Sequence, residues 1–216
     1  NFPKRKILYT NLIENLRYGE NPHQLGAFYS QNEKNKLEQI HGKALSYNNY
    51  NDILAAITIS KSLPKNTGTV IVKHGNPCGV SALKNNLDSY QSALESDPIS
   101  AFGGIVSCNY KVSKKLAFML NKIFLEVIVA DGFDKKALKI LKSKKNLRLI
   151  DSSKISFSEM WKFNSLDNFT LMQSEDKKIF SKKDFKIVSK TQPSKSQFEN
   201  LMFAFNVCRY TKSNAI

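Results

Sequence analysis

Thr69-Val70-Ile71-Val72-Lys73-His74-Gly75-Asn76-Pro77-Cys78-Gly79 is the stretch on which the fold turns. Thr69 to Val72 are β-branched, and stiff side chains of that kind favour a packed strand. Pro64 and Gly68 punctuate the chain before them, and Gly75-Asn76-Pro77-Cys78-Gly79 after them reads as a loop of turn formers. An apolar run without polar alternation is buried on both faces, so helices must lie above and below it. The flanking sequence supplies them. A helix is predicted from about Asn51 to Leu63, capped by Asn49 or Asn51, with Ile53, Leu54, Ile57 and Ile59 at apolar positions. Leu87 to Leu94 reads as a helix ended near Asp97-Pro98. Gly103-Gly104 opens a strand at Ile105-Val106-Ser107-Cys108. Helices at Val112 to Phe124 and Lys135 to Lys144 then alternate with strands at Val127 to Ala130 and Leu147 to Ile150. This rhythm predicts an α/β domain with a largely parallel sheet.

Away from this region the rhythm fades. Residues 1–30 are mostly polar, with a short strand at Ala27-Phe28-Tyr29. Residues 151–182 read as a connection holding one short strand. Phe185-Lys186-Ile187-Val188 is strand-like. Lys195 to Tyr210 is a helix whose Phe198, Leu201, Met202, Phe205 and Cys208 share one face. Ser213-Asn214-Ala215-Ile216 reads as the start of another strand. The predicted organisation is a first unit over 1–182 and the beginning of a second, truncated unit over 183–216. Asn1 in place of an initiator Met suggests a piece of a longer chain.

Composition narrows the function classes. Among 216 residues, 33 Lys and Arg against 18 Asp and Glu give a net charge of +15, and 41% of residues are hydrophobic. That apolar share builds a core and argues against disorder. No run is long and apolar enough to cross a bilayer, and the N-terminus lacks the apolar segment of an export signal, so no membrane partner and a cytoplasmic location are expected. The charge invites a nucleic-acid reading, because Lys and Arg release counterions from phosphates. Its distribution argues otherwise. Lys135, Lys136, Lys139, Lys142, Lys144 and Lys145 have the spacing of a solvated helix face, and Arg, the better reader of bases, is scarce. Cys78, Cys108 and Cys208 are isolated, which fits reduced cysteines in a core rather than a disulfide framework.

Three constellations could carry chemistry. Lys73-His74 closes a buried strand, and open α/β sheets bind ligands beyond strand C-termini. A His there serves as a general base near neutral pH, and an adjacent Lys stabilises developing negative charge. The glycine-containing loop that follows suits close approach to a ligand. Arg17-Tyr18-Gly19-Glu20-Asn21-Pro22-His23-Gln24 joins an anion binder to an aromatic that stacks on flat heterocycles, although an irregular turn explains it equally well. Asp97-Pro98-Ile99-Ser100-Ala101-Phe102-Gly103-Gly104 places glycines at a strand entrance, more often a bend than a ligand site, and matches no Walker or dinucleotide fingerprint. His23, His41 and His74 lack supporting ligands at metal spacing. The zinc deaminase pattern is absent too: His74 is followed by Gly75-Asn76, and Pro77-Cys78 by Gly79-Val80-Ser81, which removes the Glu and the second Cys.

Together with Leu45-Ser46-Tyr47-Asn48-Asn49 and Lys212-Ser213-Asn214-Ala215-Ile216, these segments occur in the order found in one family. The chain resembles, over essentially its whole length, the transformylase region of the bifunctional AICAR formyltransferase/IMP cyclohydrolase family. The resemblance implies cytidine-deaminase-like layered α/β units without zinc, and formyl transfer from 10-formyltetrahydrofolate to the 5-amino group of AICAR. It implies His74 as base and Lys73 as stabiliser, Arg17, Tyr18 and Asn49 on the nucleotide side, and Gly103, Glu126 and Asn214 on the folate side. It also implies a homodimer, no metal and no nucleic-acid partner. The cyclohydrolase domain that precedes this region in the family is not part of the 216 residues, so ring closure is not expected of them. The competing readings are a basic nucleic-acid-binding module and a folded but inactive fragment.

Overall fold

The computed structural model describes residues 2–32, 37–157 and 161–211. In chain order the elements are β1 (Asn11–Leu16), β2 (Gly26–Ser30), β3 (Glu38–His41), α1 (Tyr47–Ser62), β4 (Thr69–Lys73), β5 (Asn76–Ser81), α2 (Asn86–Ser96) and the single turn α3 (Pro98–Ala101). Then come β6 (Ile105–Cys108), α4 (Lys114–Leu120), β7 (Val127–Ala130), α5 (Lys135–Leu141), β8 (Arg148–Asp151), β9 (Trp161–Leu166), β10 (Phe169–Ser174) and α6 (Lys195–Cys208). Contacts divide the chain into two compact units, 1–155 and 156–216; the sequence pattern draws its boundary at 182.

The first unit holds a six-stranded sheet in the order β3-β8-β7-β6-β4-β5. Only β6, β7 and β8 run parallel to one another. β4 is antiparallel to both β6 and β5, and β3 is antiparallel to β8. The sheet is therefore mixed, not largely parallel. The cause lies in the segment read as a loop: Asn76–Ser81 is a strand, joined to β4 by the two residues His74 and Gly75. So short a connection permits only an antiparallel pair. Pro77 lacks a ladder donor and is tolerated because β5 is an edge strand.

β4 does show the burial on both faces that its β-branched residues predict, with Val70, Ile71 and Val72 fully buried. Ile71, Val106, Ile128 and Leu149 pack with Tyr90, Ala93, Leu116, Leu120, Ala137 and Leu141 from α2, α4 and α5. Helix α1 covers the opposite face through its buried Ile53, Ala56, Ile57 and Ser60, and Ser60 shares a 2.8 Å hydrogen bond with Ser107 of β6. Each fully buried Ile contributes about 2 kcal/mol by removal from water. α1 starts four residues earlier than its periodicity predicts because Ser46 and Asn49 form a capping box.

Buried Asn109, directly after β6, ties the far end of α1 to the sheet. Its Oδ1 accepts from the amides of Thr67 and Gly68 at 3.1 and 2.8 Å, and its Nδ2 donates to the carbonyls of Ser60 and Pro64 at 2.8 and 3.0 Å. Asn109→Ala leaves several buried groups unpaired at about 1–3 kcal/mol each, so a loss of about 3 kcal/mol is expected. Urea unfolding checks this: a midpoint within error of wild type would mean water replaces the amide.

In the second unit β9 and β10 form an antiparallel hairpin rather than one short strand. Phe185-Lys186-Ile187-Val188 is not a strand. Instead the Phe185 ring packs edge-on against Phe198 and Phe205 of α6, so an aromatic anchor outcompetes β-propensity there.

Candidate active site

The β4–β5 turn presents Lys73 and His74. Lys73 pairs with Asn76, and the two central residues, His74 and Gly75, have φ of 54° and 73°. Positive φ at both positions is what a type I′ hairpin turn requires. Glycine adopts it freely, whereas a residue with a Cβ, such as His74, is disfavoured there by about 1 kcal/mol. The offset comes from α1. One Asp52 carboxylate oxygen accepts the Gly75 amide at 2.6 Å and the other the His74 amide at 3.3 Å. Burial pushes the Asp52 carboxyl up from the usual carboxylate range, against the pull of these two amides. His74 itself is exposed.

Lys73 reaches across the sheet end, and its Nζ donates to the Phe102 carbonyl at 2.7 Å. The next residue, Gly103, has φ of 71°, and its amide donates to the Phe124 carbonyl at 2.9 Å. The rings of Phe102 and Phe124 lie 5.4 Å apart and are both more than half or about half exposed, at 60% and 50%. Thus Lys73 and Gly103, distant in sequence, meet at one edge. Asp97, the cap of α3, lies near this lysine; its carboxyl is held down mainly by hydrogen bonds from Ser100.

Asn49 and Glu126 also meet. The Asn49 amide donates to Glu126 Oε2 at 2.8 Å, while its oxygen accepts from the Ser46 amide at 3.2 Å. Arg148 lies 3.9 Å from the same Glu126 oxygen and donates from Nε to the Ala44 carbonyl at 3.0 Å. Arg17 and Tyr18 sit at the end of β1, the guanidinium 5.7 Å from the centre of the Tyr18 ring. Their loop closes on itself through Gly19 and Gln24 and touches α1 where Asn48 donates to the Glu20 carbonyl at 3.4 Å. Among the described residues, no hydrogen bond joins Arg17 or Tyr18 to the His74 turn. Asn214 lies outside the described residues.

Lys73, Gly103, Asn49 and Glu126 lie at an unexpected edge. Lys73 does lie at the C-terminal end of its own strand. Because β4 is reversed, that end aligns with the N-terminal ends of β6, β7 and β8, through the pairs Val72–Ile105, Ile105–Val127 and Val127–Arg148. At the opposite edge, where parallel strands usually receive ligands, polar groups of the chain pair with one another. There Asp131 accepts from Lys61 at 2.6 Å and from Ser152 at 2.7 Å. Gly79 is likewise a packing residue rather than a ligand-approach residue, since a Cβ on it would stand 1.8 Å from the Ala93 carbonyl oxygen of α2. Lys144 does not belong to a solvated helix face: it caps α4 by donating to the carbonyls of Asn121 and Ile123 at 2.6 and 2.9 Å. His41 binds the Lys144 carbonyl through Nε2 at 3.2 Å. Among the described residues no group of three or more His, Cys, Asp or Glu side chains could hold a metal ion, and no helix is long and apolar enough to cross a membrane.

The family model described as the AICARFT/IMPCHase bienzyme matches residues 1–216. The chain belongs to that family. Proteins named bifunctional purine biosynthesis protein PurH from Acetivibrio thermocellus and Ruminiclostridium cellulolyticum are 40% and 41% identical over 223 residues, covering 100% of this chain and 43% of theirs. A protein of the same name from Leptospira biflexa is 42% identical over 217 residues, 42% of its length. The chain thus spans less than half the length of the curated relatives it matches.

Within this bienzyme family chain, two participants in the site escape a reading of motifs. Asp52 is the sole acid of α1 and stands among apolar positions, so its signal is a charge placed where the helical pattern expects burial. Arg148 begins β8 and carries no local motif; only the parallel register beside Glu126 places it.

Proposed function

We propose that this region performs the transformylase reaction of its family, moving the formyl group of 10-formyltetrahydrofolate to the 5-amino group of AICAR to give FAICAR. The observation that carries the reading is the reach of Lys73, the neighbour of His74, to the Phe102 carbonyl beside Gly103 at one sheet edge. The aromatic amine of AICAR is a weak nucleophile because its lone pair is delocalised. As nitrogen attacks the formyl carbon, His74 takes the amine proton, which lowers the barrier in the manner of a general base. The Lys73 ammonium faces the oxygen that becomes negative in the tetrahedral intermediate. Collapse breaks the bond to N10 of the folate, which leaves as tetrahydrofolate carrying a proton.

Arg17 and Tyr18 hold the phosphate and the flat ring of the nucleotide in this reading, with Asn49 beside them. Gly103, Glu126 and Asn214 face the folate. The fold assignment that goes with it is a cytidine-deaminase-like unit without zinc, and the assembly a homodimer in the cytoplasm. Calorimetric titration with AICAR at two salt concentrations tests the reading. Saturable one-site binding with shallow salt dependence is expected. Absence of nucleotide binding combined with steep, salt-sensitive binding of RNA would overturn it in favour of a basic nucleic-acid module.

A further inference from the structure

The turn that carries Lys73 and His74 is held from outside itself. Successive amides in a left-handed turn point to the same side and form a small concavity that attracts an anion. Here the anion is the chain's own: Asp52 supplies one carboxylate oxygen to each of the amides of His74 and Gly75. Asp52 is borne by a helix whose next residues, Ile53, Ala56 and Ile57, are at most 1% exposed, so its backbone has no freedom to follow a moving turn. The grip is on main-chain amides, which leaves both imidazole nitrogens of His74 open to other partners. A Cβ built on Gly75 would meet only the Asn51 side chain, at 3.6 Å, and Asn76 Nδ2 donates to the His74 carbonyl at 3.2 Å, which leaves Asp52 as the acceptor for the two turn amides.

We propose that Asp52 is a positioning residue, which fixes the His74–Gly75 backbone so that the imidazole and the Lys73 ammonium keep one mutual arrangement. Its catalytic consequence rests on the formyl-transfer reading, whereas the grip itself does not. Asparagine at 52 keeps one acceptor and turns a donor toward the other amide; alanine removes both acceptors.

Two measurements test this. In the 216-residue chain, amide hydrogen exchange of His74 and Gly75 should be slow, and Asp52→Ala should abolish the protection while the amides of Ile57 and Val129 keep theirs. Unprotected turn amides in wild type, or unchanged protection in Asp52→Ala, would overturn the proposal whatever the enzyme does. In the full-length protein that carries this sequence, Asp52→Ala should lower kcat about 100-fold with the KM for AICAR unchanged, as misplacement of reacting groups by an ångström does. Asp52→Asn should fall between alanine and wild type. Because Asp52 acts largely through His74, Asp52→Ala added to His74→Ala should cost much less than it costs alone. Multiplying losses, or an unchanged kcat per folded molecule, would overturn the positioning role. Lost protection in Asp52→Ala together with no formyl transfer by wild type would refute the assigned reaction and leave the grip standing.

Discussion

His74→Ala is expected to lower kcat for formyl transfer by about 10²–10⁴-fold, the usual worth of a positioned general base, with AICAR affinity close to that of wild type. His74 is exposed at the tip of a turn whose backbone, not its ring, is tied to Asp52. Removing the ring therefore breaks no buried contact, and the hairpin keeps its shape. Alanine still carries a Cβ and meets the same preference against positive φ, so folding stability should be close to that of wild type. Steady-state kinetics and calorimetry on the same preparation separate the two effects. Equal loss of kcat and affinity would make His74 a nucleotide-binding residue and remove the proton-transfer role.

Gly79→Ala is expected to be strongly destabilising. The added Cβ would lie 1.8 Å from the oxygen and 2.8 Å from the carbon of the Ala93 carbonyl, both backbone atoms of α2. No rotamer relieves such a clash, so β5 and α2 must part. Overpacking of a tight core costs on the order of 3 kcal/mol, a large part of the roughly 5–15 kcal/mol that holds a typical domain together. A fall in Tm of about 6–12 °C follows for a chain of this size. Gly75→Ala, four residues away, makes the contrast: its Cβ would make only an ordinary contact, 3.6 Å from Asn51 Nδ2, and its φ of 73° resists at about 1 kcal/mol. Thermal melts of the two variants should differ plainly. Equal melting temperatures would mean that α2 shifts freely on the sheet.

Much of the fold is legible in the sequence because burial writes it there. The apolar runs at Ile105 to Cys108 and Val127 to Ala130 are strands with those bounds, whereas the helix between them is shorter than the predicted Val112 to Phe124: it spans Lys114–Leu120, because Val112 bridges to Phe133 and Ser113 caps the helix. Direction is what the runs do not encode. A buried strand reads the same way up or down, and the reversal of β4 depends on His74-Gly75 acting as a two-residue turn. A histidine at a position that favours Asn, Asp or Gly hides that signal, and the carboxylate that compensates for it sits more than twenty residues earlier. The candidate site behaves similarly. Lys73 and His74 announce themselves as a pair at a strand end, whereas the link between Asn49 and Glu126 spans 77 residues and exists only once α1 crosses the sheet. Glycine misleads in the opposite sense: Gly79 looks like room for a ligand and is room for a helix.

The two outer strands bear on solubility. A bare sheet edge offers a row of unpaired donors and acceptors on which another chain can template itself. In β5 that row is broken at Pro77, which has no amide hydrogen, and the register shifts where Pro77 faces Val72. At the other margin β3 is four residues long and shifts register between Gln39 and His41. A neighbouring molecule that tried to continue the sheet from either side would meet a missing donor or a change of phase within a few residues. At high protein concentration, that is a built-in brake on edge-to-edge aggregation.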